Sequence, residues 1–201
     1  GVPGHYMIRG RVHFDTGRLD LALQDLNKSI ALGADEASVF ILRGAVFARL
    51  GRHAEALKDL DIGIDRKPGD AGAHNNCGGV HLALGKFDLA IADFNELLRL
   101  RPNDPETLSN RGTAFLEVNR YQVALRDFDA ALQKKPNEAQ IYAKRAGAHY
   151  GLGDLSKAIQ DLDQAIRLKP DYAEALSNRR RAHIAQRQYQ RALADLDKAI
   201  R

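Results

Sequence analysis

The sequence predicts an all-α fold, an α-solenoid of about six antiparallel helix-turn-helix repeats, and three observations predict it. The first is a fixed period: at 34 residues the chain divides without a gap into 3–36, 37–70, 71–104, 105–138, 139–172 and a shortened 173–201. The second is a set of columns. Counted from the start of each repeat, position 20 is always Ala (Ala22, Ala56, Ala90, Ala124, Ala158, Ala192) and position 23 is always Asp (Asp25, Asp59, Asp93, Asp127, Asp161, Asp195). Position 24 is Leu or Phe throughout: Leu26, Leu60, Phe94, Phe128, Leu162, Leu196. Chance does not give three such columns over six repeats. The third is regular punctuation by Gly, Asn and Pro, which divides each repeat into two helices.

Taken in order, the first repeat breaks at Gly17 and ends in Leu32-Gly33-Ala34, with no Pro. The second shows the helical spacing most plainly. Phe40, Phe47 and Leu50 mark its first helix, Gly51 the break, and Ala56-Leu57-x-x-Leu60-x-x-x-Ile64 its second, which stops before Pro68. Gly63 stands where Ala is usual and should cost about 1 kcal/mol of helix propensity. The third, fourth and fifth repeats break at Gly85, Asn119 and Gly153 and end at Pro102, Pro136 and Pro170. The sixth carries Arg180 in a column otherwise small, which puts tight packing of its helices in doubt. The chain stops at Ile200-Arg201, where Leu193, Leu196 and Ile200 would leave an apolar edge. Because one hairpin cannot bury its own apolar face, that edge implies either a longer parent protein or pairing with another copy. The start at Gly1-Val2-Pro3 likewise suggests a piece of a longer protein. The expected organisation is one repeat domain over 1–201.

These residues resemble the tetratricopeptide repeat pattern, W-x2-L-G-x2-Y, then A-x3-F, then P, in 34 residues. The Gly recurs as Gly10, Gly44, Gly78 and Gly112 and relaxes to Ala146. The Trp column reads Tyr6, Phe40, His74, Leu108, Tyr142, Leu176, and the Tyr column His13, Phe47, His81, Phe115, His149, His183. The resemblance runs from residue 3 to the end. It implies a right-handed solenoid whose first helices line a concave face, and a non-catalytic protein-protein interaction scaffold.

Composition adds exclusions. The net charge of +4 is local, since residues 1–172 hold 23 basic and 23 acidic side chains while 173–201 hold 7 against 3. An acidic partner at that end fits Arg179, Arg180, Arg181, Arg187 and Arg191, but no aromatics interleave with them as stacking on nucleic acid requires. No run approaches the roughly 18 apolar residues of a membrane span. One cysteine, Cys77, makes no internal disulfide, and the default compartment is cytoplasmic, with a bacterial periplasm left open.

Position 7 is Arg in five repeats (Arg9, Arg43, Arg111, Arg145, Arg179) and Cys77 in the third. With the Asp column it suggests an inter-helix salt bridge rather than chemistry, because a catalytic residue need not recur. His74, Cys77 and His81 share one helix face at i, i+3, i+7, a zinc-like set. All three fall in packing columns and no fourth ligand is in view, so no metal and no cofactor are expected. No phosphate-cradling loop, nucleophile elbow or HExxH motif is present.

Positions 2, 6, 9 and 13 share one face of the first helix. From the third repeat onward they are small or polar: Gly72, Asn76, Gly79, Ala83; Glu106, Asn110, Thr113, Glu117; Gln140, Lys144, Gly147, Gly151; Glu174, Asn178, Arg181, Ala185. An Asn amide donates and accepts at once, so Asn76, Asn110 and Asn178, interrupted by Lys144, suit an extended peptide backbone whatever its side chains. A similar asparagine ladder holds substrate peptides in one glycosyltransferase of the family. The alternative is that these Asn simply touch water. In the first two repeats Met7, Ile8, Phe14, Ile41 and Leu42 are expected to put apolar surface on the same side, anchoring a ligand side chain or packing on upstream sequence. The chaperone-tail clamp of the family is matched only by Asn110 and one cation, Lys144, since Asn75, Gly79 and Gln140 stand at its other places. The expected partner is a protein or peptide. Self-assembly through the last repeat and a substrate-recruiting part of a larger enzyme are the alternatives.

Overall fold

The computed structural model describes residues 2–199, the side chains of 197–199 excepted, so Ile200 of the expected apolar edge lies outside the described residues. Those residues form twelve α-helices and no strand. They fall into two compact units, up to Arg101 and from Pro102 onward. The first holds α1 (Pro3–Asp15), α2 (Leu19–Ala31), α3 (Ala37–Arg49), α4 (His53–Arg66), α5 (Ala71–Ala83) and α6 (Phe87–Leu100). The second holds α7 (Pro105–Glu117), α8 (Tyr121–Lys134), α9 (Ala139–Gly151), α10 (Leu155–Leu168), α11 (Ala173–Ala185) and α12 (Tyr189–Ala199). Each unit is a stack of three helical hairpins. Within it each odd helix packs on its own even partner, on the next odd helix, and on the even helix of the preceding hairpin. No described helix is long and apolar enough to cross a membrane.

The turns inside the hairpins need a left-handed residue, and the break column supplies it. Gly17, Gly51, Gly85, Gly153 and Asn119 all have positive φ, and in the sixth hairpin Arg187 takes φ 61° without a glycine's freedom. Asp70, Asp104 and Asp154 cap α5, α7 and α10 by accepting from backbone N–H groups of the first turn.

The small column sets how closely the two helices of a hairpin approach. A Cβ placed on Gly44 would lie 2.8 Å from Leu60, on Gly78 2.6 Å from the Phe94 ring, and on Gly112 2.9 Å from Phe128. In the fifth hairpin, where Ala146 relaxes the column, the partner is the smaller Leu162. The sixth hairpin still forms with Arg180 half-buried in this column, but Leu196 is only half-buried, whereas Leu26, Leu60, Phe94, Phe128 and Leu162 are at most 2% exposed. Gly63 also has a packing reason: a Cβ on it would stand 2.4 Å from Ile41 Cγ1, so the helix propensity it forgoes makes room for Ile41.

Candidate functional site

The Arg and Asp columns meet as a series of rungs inside the hairpins. Nε and Nη2 of Arg9, Arg43, Arg111 and Arg145 donate to the two carboxylate oxygens of Asp25, Asp59, Asp127 and Asp161 at 2.6–2.8 Å. Arg179 grips Asp195 in the same way. Nη1 also reaches the preceding hairpin, where Arg43 donates to Asn27, Arg145 to Asp129 and Arg179 to Asp163, at 2.6–2.9 Å. Each of these guanidiniums therefore ties three helices. Aromatic rings at the Trp or Tyr position flank several, as Phe40 and Phe47 flank Arg43. Asp25 feels its rung directly, since hydrogen bonding from Arg9 holds its carboxyl below the usual carboxylate range. These residues are consumed in holding the hairpins together.

The first-helix face is different, because several of its polar side chains have no hydrogen-bond partner among the described residues. In the first unit a cleft of about 310 Å³ has Phe14, Ile41 and Leu42 on its floor and Asn75, Asn76 and Arg11 around it. In the second unit a cleft of about 350 Å³ brings together Glu106, Asn110, Gln140 and Lys144. A second one there, about 370 Å³, is lined by Glu117, Asn178 and Arg181 beside Gly147, Gly151 and the rings of Tyr121 and Tyr150. Among the described residues, none of the side-chain amides of Asn76, Asn110 and Asn178 has a hydrogen-bond partner. Lys144 is half-buried, and burial pulls its ammonium down, opposed by Glu174. Glu106 is not unpaired, since Lys135 donates to it at 2.8 Å.

Three expected site residues lie outside these clefts. Thr113 donates its hydroxyl to the Ser109 carbonyl at 2.8 Å, Met7 packs half-buried on the core of the first two hairpins, and Ile8 is 61% exposed. The apolar surface expected of Leu42 is small. At 3% exposure it belongs to the core with Leu26, Val39 and Val46 and shows the cleft only an edge. Sequence reading missed Tyr121 and Tyr150. Their signal was Gly151, where a Cβ would stand 2.5 Å from the Tyr121 ring: the glycine makes room for an aromatic of the preceding hairpin. Of the zinc-like set, His74 Nε2 donates to the Pro68 carbonyl at 2.9 Å and His81 Nδ1 to Asp93 at 2.7 Å. Among the described residues no three donors are placed to hold a metal ion.

Three family models match along the chain, two described as Tetratricopeptide repeat over residues 41–105 and 78–146 and one as TPR repeat over 148–179. The chain is a tetratricopeptide repeat protein. Its all-α helical-repeat fold is shared with solved structures at low identity. It is similar to MamA 41-end from Desulfovibrio magneticus RS-1 at 23% identity and TM-score 0.78, covering 83% of this chain and 94% of that one. It is similar to YrrB, described as a TPR protein with an unusual peptide-binding site, at 22% identity and TM-score 0.76, covering 85% and 88%. A tetratricopeptide repeat protein from Parabacteroides merdae ATCC 43184 matches at 20% identity and TM-score 0.84, covering 98% and 78%. No curated protein matches. At these identities the likeness of the tetratricopeptide repeats is one of fold.

Proposed function

We propose that this chain is a non-catalytic protein-interaction module that holds an extended or short helical peptide segment on its first-helix faces. The observation that carries the reading is the set of amides without partners: Asn110 and Asn178 of the second unit and Asn76 of the first each stand in the wall of a cleft with their hydrogen-bonding capacity unspent. An amide that served the fold would be bonded within it, as the Arg–Asp rungs are. Asn110, Lys144 and Asn178 fall on successive first helices, α7, α9 and α11, so one peptide backbone running across them meets an amide, an ammonium and an amide. Tyr121 and Tyr150 supply the amphipathic rings that interfaces favour, and Phe14 with Ile41 offers an apolar side chain a floor in the first unit. That a protein of this fold, YrrB, is described as having a peptide-binding site supports the reading by analogy.

The test selects ligands from a displayed library of random 15-residue peptides and titrates the best into wild type and into Asn110→Ala with Asn178→Ala. Two hydrogen bonds at about 0.5–1.5 kcal/mol each correspond to a roughly tenfold or greater loss of affinity. The melting temperature should move by no more than about 2 °C, since neither amide serves the fold. Equal affinity in the double variant would sink the reading.

A further inference from the structure

The two clefts of the second unit lie on either side of α9 and differ in what forms their bottom. In the cleft beside Asn178 the deepest lining residues are apolar, Ala146 at 1% exposure and Leu162 at 2%, with Leu116 next to them. The two positions of α9 that would otherwise cover them, 9 and 13, are Gly147 and Gly151, and in no other repeat are both glycine. The two glycines open the slot in different ways. At Gly151 the space is taken by the preceding hairpin: a Cβ there would stand 2.5 Å from the Tyr121 ring, whose hydroxyl donates to Asn119, so the ring is held at both ends. At Gly147 the space stays open, since a Cβ would meet Leu116 at an ordinary 3.4 Å. The result is a slot of about 370 Å³ with an apolar bottom and a fixed aromatic wall. It lies at the lower end of the roughly 300–1,000 Å³ typical of ligand pockets, room for one large side chain rather than a whole ligand.

The rim of the slot is polar and charged. Tyr150 is 38% exposed, with the Arg181 guanidinium over its ring at 5.6 Å, so a second ring and a cation stand together on the α11 side. Asn178 of the same helix brings an amide with no partner among the described residues. On the opposite, α7 side stands Glu117. In the cleft across α9, Glu106 and Glu138 both act on Lys135, and Glu106 is bonded to it, while Lys144 is half-buried. Among the described residues neither Lys144 nor Arg181 is in a salt bridge. The charges left to meet a ligand are therefore two cations, Lys144 and Arg181, against the one carboxylate of Glu117.

We propose that this slot is a selectivity pocket for one Tyr or Trp side chain of the bound segment, with an acidic residue beside it on the α11 side held by Arg181. The inference rests on the reading that the first-helix faces hold a peptide, and it names the kind of peptide. An aromatic side chain fits because the apolar bottom takes its body while Tyr121 and Tyr150 offer ring contacts. The polar end of Tyr or Trp distinguishes it from an aliphatic chain: a phenol hydroxyl or indole N–H bonds the Asn178 amide, which an aliphatic side chain would bury unpaired. The charges set direction. Arg181 attracts an acidic neighbour on the α11 side, and Glu117 repels one on the α7 side, so a segment laid in backwards is penalised. The held Tyr121 ring adds to this, because a wall already fixed loses little freedom on binding.

The chain has no Trp, so a Trp in the peptide reports on the slot by its own fluorescence. From the random library, wild type should select segments in which Tyr or Trp stands next to Asp or Glu, and a bound Trp should shift its emission to the blue. Replacing that aromatic by Ala in the peptide should cost about thirtyfold in affinity, the worth of burying one large apolar side chain. Gly147→Leu fills the slot from within, where a Cβ has room, and should cost the aromatic peptide a similar factor while barely changing the affinity of the Ala peptide. Arg181→Glu should weaken the acidic peptide roughly fivefold and regain affinity when the peptide's acid is changed to Lys. Peptides that bind and shift the Asn110 and Asn178 amides, yet lose nothing with their aromatic, would overturn the slot and leave the groove standing. A library that yields no ligand would overturn both. Binding of free N-acetyltryptophanamide as tightly as the peptide would make this a small-molecule site and overturn the proposal as well.

Discussion

At the scale of single residues, the rung between positions 7 and 23 does most to explain how one hairpin differs from another. A guanidinium gripping a buried carboxylate is best judged by what its removal leaves behind. Arg145→Ala strands Asp161 at 6% exposure and releases Asp129 on the preceding hairpin. The expected cost is about 3 kcal/mol, read as a fall in Tm of roughly 10 °C. Arg9→Ala should cost clearly less, because the Arg9 side chain is 62% exposed. Equal losses would mean that the rung's burial does not matter. The titrations of two rungs also oppose each other. Asp25, held low by Arg9, contributes stability above the usual carboxylate range that is lost as the pH falls through its own, whereas Asp93 contributes in acid and loses it as the pH rises. The Arg–Asp pairing was legible in the sequence from a constant separation within each repeat. The third arm to Asn27, Asp129 or Asp163 was not, because it depends on how one hairpin stacks against the next.

At the scale of elements, the glycines divide by what surrounds them. Gly63 and Gly79 both sit inside helices, where glycine is a poor choice, yet a Cβ on Gly63 would press into Ile41 while one on Gly79 meets nothing within 4 Å. Gly79→Ala should therefore stabilise the chain by roughly 0.5–1 kcal/mol through helix propensity alone. Gly63→Ala should destabilise it by about 1–3 kcal/mol, because overpacking against Ile41 outweighs the same gain. Urea midpoints of the two variants check this, and stabilisation by both would mean that Ile41 yields freely. Helix limits and breaks were legible because Gly51, Asn119 or Pro136 act locally on φ and on the N–H supply. The reason for Gly63 was not, since the residue it accommodates lies on another helix.

At the scale of the whole molecule, repetition separates structure from function. Columns that recur in every hairpin serve the fold: Ala22 to Ala192 are buried, and the Asp column is buried except for the half-buried Asp93, each carboxylate bonded to an Arg or, for Asp93, to His81. The columns that vary, 2, 6, 9 and 13, carry the side chains around the clefts. That face was legible from the 3.6-residue period, and so was the row Asn76, Asn110, Lys144, Asn178. The burial of Leu42 and the arrival of Tyr121 and Tyr150 beside Asn178 were not, because each is set by contact between successive hairpins. The measurement that bears most directly on the central claim is an NMR titration of the side-chain amides, with 15N-labelled asparagine and a peptide selected from the random library. The account expects the NH2 resonances of Asn110 and Asn178 to shift saturably, with the one affinity found by direct titration, while that of the exposed Asn137 stays still. Saturable binding that leaves both row amides unmoved would contradict it.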